Sequence, residues 1–155
     1  MTEHNPSQNS ESTIMQEIRK DFYSFRNGLI ADTLRKSGLP HKYIFGLQLP
    51  QLSEIARKHP KNLDLAYDLW EDRESRESRL LATYIFPPEN LKKEEAEELI
   101  KDLRSREEAE ILSFRLLRHL PYAKELAIEK EISDSGWSDF ALHSLNMLQK
   151  ALEVI

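Results

Sequence analysis

The chain of 155 residues contains no cysteine, only 4 glycines, and no apolar run long enough to cross a membrane. Without cysteine, disulfides and thiolate metal sites are excluded. Spanning a bilayer as a helix takes roughly 18 or more consecutive apolar residues, and nothing here approaches that. Few glycines and a wealth of Ala, Leu, Glu, Lys and Arg leave little room for turn-rich β architecture. The opening "MTEHNPSQNSEST" lacks the basic start and apolar stretch of a secretory signal. Residues 1–13 therefore read as a polar, disordered tail preceding a helical domain over 14–155, and a cytoplasmic location is expected.

Charge of one sign is also missing as a dominant feature. The net charge is −5, but it is unevenly spread: residues 14–86 sum to +2 and residues 87–155 to −5. This excludes a strongly basic nucleic-acid domain and leaves room for a local basic face.

Apolar residues recur at helical spacing almost throughout. Ile14, Ile18, Phe22, Phe25 and Leu29 define an amphipathic helix whose pattern extends through Leu34 to Gly38. "GLPHKYIFGLQLPQL" reads as a loop with buried aromatics, and Pro50 suits the first turn of a helix running to about Lys58. Three helix pairs follow, over 61–72 and 74–86, 91–104 and 106–119, and 121–133 and 137–153. Short connections make neighbours antiparallel. A shift of 31 aligns the second helices of the pairs. Leu80, Ile111 and Leu142 coincide, as do Ile85, Leu116 and Met147, and Phe86, Leu117 and Leu148. A small residue recurs at Ala82, Ser113 and Ser144. The expected fold is all-α, a stacked solenoid of antiparallel helix pairs.

"YIFGLQLPQLSEIARKHP" and "LDLAYDLWEDRESRESRLLATYIFPP" carry a resemblance. Phe45, Gly46, Leu47, Pro50 and Leu52, then Leu69 and Trp70, then Glu77, Arg79, Leu81 and Ala82 are similar to the pattern of the AlkD-like DNA alkylation repair family. The chain resembles a short, divergent member of this HEAT-like repeat DNA glycosylase superfamily, which has an armadillo-type fold. The resemblance implies binding of double-stranded DNA and metal-free hydrolysis of the N-glycosidic bond of alkylated purines, with no cofactor. That chemistry needs a carboxylate beside the oxocarbenium-like sugar. In the family it comes from a Trp-Asp-x-x-Asp stretch. Here Arg106 stands for the Trp, Glu107 for the first Asp and Glu110 for the second, making Glu110 the candidate catalytic residue. The next repeat keeps Trp137 but has Asp139 and Phe140 where the family's Arg belongs. These departures imply that excision is weak or lost.

Arg73, Arg76 and Arg79 share one helical stripe, with Glu74 and Glu77 beside them. Either they form a solvated face of intrahelical ion pairs, or Arg76 and Arg79 meet phosphates on the inner face of the solenoid. In the second case Arg115 and Arg118 continue the stripe, and Lys42 and Trp137 add contacts. The five histidines are scattered without metal-ligand spacing, so no metal is expected. Trp70 reads as a core residue. The alternative to DNA binding is a non-catalytic helical-repeat scaffold for a protein partner, or self-association through the C-terminal helix, because "LQKALEVI" ends on apolar side chains.

Overall fold

The computed structural model describes residues 6–132 and 136–153. Nine α-helices are described: α1 (Pro6–Ser24), α2 (Gly28–Lys36), α3 (Leu49–Ala56), α4 (Leu63–Glu71), α5 (Arg76–Ile85), α6 (Lys93–Lys101), α7 (Arg106–Arg115), α8 (Ala123–Ile132) and α9 (Asp139–Glu153). Among the described residues there is no strand, and a single isolated bridge joins Tyr43 to Ser75. No helix among them is long and apolar enough to cross a membrane.

Local chemistry sets the helix starts. The Asn62 side chain accepts a hydrogen bond from the Leu65 amide, Ser75 from Ser78, Ser105 from Glu108 and Ser138 from Ala141. Each satisfies an amide that the first helical turn leaves without a partner. Pro87 and Pro88 stop α5.

One expectation for the N-terminal region needs correction. The helix through residue 38 is broken, because the Asn27 side chain accepts from the Leu29 and Ile30 amides and starts α2 as a separate helix. α1 begins at Pro6, inside the stretch expected as a tail. Residues 1–5 of that stretch lie outside the described residues, as do Val154 and Ile155 of the apolar C-terminal ending.

Helices occupy all six positions of the three expected pairs; α4 packs against α5 and α8 against α9, α6 touches α9, and α5, α7 and α9 pack side by side in order. The 31-residue register is visible in contacts. Ser113 and Ser144 are buried and their hydroxyls meet at 2.7 Å, with Ser113 also donating to the Ser144 carbonyl. Phe86, Leu117 and Leu148 are fully buried in matching places. Each such side chain contributes about 1.5–3 kcal/mol of burial. Two columns diverge: Leu80 is buried whereas Ile111 and Leu142 are partly exposed, and Ile85 and Leu116 are buried whereas Met147 is partly exposed. α3 packs against α5, so the first repeat has a covered face that the later two leave open.

Candidate nucleic-acid interface

The stretch Glu71–Arg79 leads from α4 into α5, and the charges of the first turn of α5 point inward. Arg76 is 4% exposed and Arg79 0%. The Arg79 guanidinium uses all of its donors on the protein: Nη1 to the Trp70 carbonyl and Asp102, Nη2 to the Asp102 carbonyl and Glu108, and Nε to Glu108. It lies 3.6 Å from the centre of the Trp70 ring. Trp70 is a core residue, as expected.

Arg76 donates to both carboxylate oxygens of Glu107 at 2.8 and 2.9 Å, to Glu77 and to the Leu47 carbonyl. Burial lowers its affinity for the proton, but hydrogen bonding and charge from Glu107, then Glu77, more than offset this and hold Arg76 above the usual arginine range. Neither the solvated face nor the phosphate-reading stripe describes these two residues. Both are committed to carboxylates inside the protein. Arg73, with Asp102, is the exposed member of the stripe.

Glu77 is fully buried and serves the loop before α3. Its carboxylate accepts from the amides of Phe45, Gly46 and Leu47 at 2.8, 3.1 and 3.4 Å. An irregular loop has no ladder to satisfy such amides, and a buried carboxylate takes that role. Glu108 is likewise buried and accepts from Arg79, the Arg104 amide and His41. Burial pushes its carboxyl up, while the His41 hydrogen bond and the Arg79 charge bring it down further, for a net value below the usual range.

The remaining sequence candidates separate. Lys42 is exposed, its amine 5.4 Å from the Tyr43 ring. Trp137 packs partly buried against the core, 6.0 Å from the Lys101 amine. Neither lines the groove that holds Arg115 and Arg118. Glu107, at the family's first-Asp position, is held by Arg76. Glu110 is half exposed and pairs with His143 at 2.9 Å and with Arg106 at 3.6 Å.

The structure does bring Arg115 and Arg118 together. With Lys61 and His119 they line an open groove of about 960 Å³, whose other walls include Leu49, Tyr84, Glu110, Ile111 and Phe114. The Arg115 guanidinium sits 4.5 Å from the centre of the Tyr84 ring, and Arg118 5.5 Å from that of Phe114. Lys61 donates to the Tyr84 carbonyl at 2.9 Å. None of these three cations forms an ion pair with a carboxylate among the described residues, unlike Arg73, Arg76, Arg79, Arg104 and Arg106.

His119 reports their combined field. Burial, and then the charges of Arg118, Lys61 and Arg115, hold its imidazole below the ordinary value. A neutral ring can accept, and Arg118 Nε donates to its Nε2 at 3.3 Å. Lys61, Tyr84 and Phe114 were not legible as site residues. Lys61 precedes α4 in sequence, and only the stacking of repeats brings it beside α7.

A solved structure described as "A new family of proteins related to the HEAT-like repeat DNA glycosylases with affinity for branched DNA structures" superposes on 86% of this chain with a TM-score of 0.75. The fold is that of a HEAT-like repeat protein. Sequence identity in this HEAT-like superposition is 14%, and the chain spans 55% of the length of that structure. No family model matches the chain, and no curated protein does.

Proposed function

We propose that this HEAT-like repeat chain binds DNA along the groove of Lys61, Arg115 and Arg118, and that excision of alkylated purines is weak or lost. The carrying observation is three clustered cations without carboxylate partners among the described residues, on a protein whose other central arginines are all paired. Guanidinium and ammonium groups whose charge no carboxylate neutralises are what phosphates need. The affinity for branched DNA stated of the structural neighbour supports the same reading. Weak excision follows from the residues at the family's catalytic positions. Glu107 is tied to Arg76, and Glu110, with no aromatic wall at 106, is tied to His143 and Arg106.

The test is fluorescence anisotropy against linear and branched DNA over a salt series. Arg115→Glu with Arg118→Glu is expected to weaken binding at least tenfold near 0.1 M salt. It also reduces the salt slope by about one unit per lost phosphate contact. The melting temperature stays near that of the parent, since neither residue is in a buried network. A parent that binds no DNA, or a double variant that binds as well as the parent, refutes the reading. Release of methylated purines from alkylated duplex is expected to be slight. Robust release that Glu110→Gln abolishes overturns that half of the proposal.

His119 supplies an independent readout. Phosphate oxygens beside Lys61, Arg115 and Arg118 cancel the charges that depress its imidazole, so its titration midpoint, followed by NMR, rises when DNA binds. By linkage, binding tightens as pH falls through the imidazole range. A midpoint unmoved at saturating DNA places the phosphates elsewhere.

A scaffold reading has its own support in exposed apolar side chains on α1 and α2, where Tyr23 and Leu29 are 59% and 81% exposed. It calls for partner association with little dependence on salt.

A further inference from the structure

The groove contains more than phosphate contacts require. Phe114 is 42% exposed and Leu49 40%, and with Ile111, Met147, Pro88 and Pro121 they give the groove an apolar lining among the cations. An intact duplex presents phosphates and sugars outward and keeps the faces of its bases stacked within. An apolar, aromatic lining beneath a phosphate clamp therefore has little to hold on a duplex. An unpaired nucleotide offers both parts at once, a phosphate for the cations and a free π-face for the ring.

We infer that the groove takes unpaired nucleotides: one DNA strand, its phosphates on Lys61, Arg115 and Arg118 and a base stacked on Phe114. The inference rests on the DNA-binding reading and narrows it to a substrate class. Arg118 already lies 5.5 Å from the Phe114 ring centre, and Arg115 4.5 Å from that of Tyr84. Each ring thus has a cation next to it, so a phosphate-binding group lies within reach of an aromatic side chain. Glu110 and Glu89 also line the groove. Their charges are tolerable beside one strand and repulsive to a second backbone entering with it. An acidic peptide would satisfy the cations equally but would not need the ring.

The experiment compares labelled oligothymidylate, an abasic strand of the same length and a duplex of the same length. Parent protein is expected to bind oligothymidylate about tenfold more tightly than the abasic strand, and more tightly than duplex. Phe114→Ala and Phe114→Leu each remove the difference between oligothymidylate and the abasic strand. Phe114→Tyr, which keeps the ring, restores the difference. Arg118→Glu weakens both strands together.

Equal affinity for the two strands, tighter binding of duplex, or indifference to the loss of the ring overturns the inference. The DNA-binding reading then still stands if the arginine variants lose affinity. Displacement of the strand by oligoglutamate as readily as by unlabelled oligothymidylate shows recognition of charge alone and likewise overturns it. If no DNA of any form binds, both readings fall.

Discussion

Glu108→Ala is expected to destabilise the protein by about 3–5 kcal/mol, the cost of removing one partner from a buried ion pair. For a chain of this size that corresponds to a fall in melting temperature of about 10 °C or more. The carboxylate accepts from Arg79 Nη2 at 3.1 Å, from the Arg104 amide at 2.9 Å and from His41 Nε2 at 2.6 Å. Truncation leaves these donors, and Arg79 Nε at 3.4 Å, without that acceptor in a place water cannot readily reach. Glu108→Gln tests charge separately from shape. The amide fills the same space but presents a donor toward donors, and it is expected to be nearly as damaging. Thermal unfolding followed by circular dichroism decides it. A change of one or two degrees in either variant would mean that the network is relaxed or hydrated in solution.

The same carboxyl sets a direction for the dependence on pH. Its value in the folded protein is below that of an unfolded glutamate, owing to His41 and Arg79 acting against burial. Its contribution is therefore complete above the unfolded value, about 4.3, and is lost as pH falls through the lower folded value. Glu108→Gln should accordingly show a flatter acid limb than the parent. The burial of Arg76 and Arg79 also changes what can be learned from them. Reversing both charges would unfold the protein, so a loss of binding in that variant would not report on phosphate contacts. Arg115 and Arg118 are the pair that separates recognition from stability.

The helices, their pairing and the 31-residue register were legible because apolar spacing reports directly on which face of a helix is buried. The columns Phe86–Leu117–Leu148 and Ala82–Ser113–Ser144 are buried throughout. Charged residues do not report their surroundings in this way. Within α5, Arg76 and Arg79 look like a stripe with glutamates alongside, and neighbours three or four residues apart suggest ion pairs on a solvated surface. Their partners instead lie one repeat on, Glu107 at 31 residues from Arg76 and Glu108 at 29 from Arg79. Applying the register to charges as well as to apolar residues pairs Arg76 with Glu107, so that signal was present. The groove had no comparable signal. Lys61 and Arg115 are 54 positions apart, and only packing around Tyr84 joins them.

Gly46→Ala is expected to be as damaging as any truncation in the charge network, although it adds only a methyl group. Gly46 has a φ of +84°, where a side chain is unfavourable. A Cβ there would also lie 2.3 Å from the Asn27 carbonyl oxygen and 3.0 Å from the Ala31 amide nitrogen. Both obstacles are backbone, so neither can rotate away. That carbonyl accepts from the Ala31 amide at the start of α2, while the Asn27 side chain caps the same helix. On the other side, the Gly46 amide donates to Glu77. Any shift that relieves the clash must disturb the α2 start, the Glu77 cluster or both. Loss of more than about 3 kcal/mol is expected, from left-handed strain together with overpacking. Urea unfolding measures it, with Gly38→Ala as the reference. Gly38 has a similar φ of +102° but open space around its would-be Cβ, so it isolates the strain from the clash. Equal losses at the two positions would show that the approach of Asn27 to the loop is not what requires the glycine.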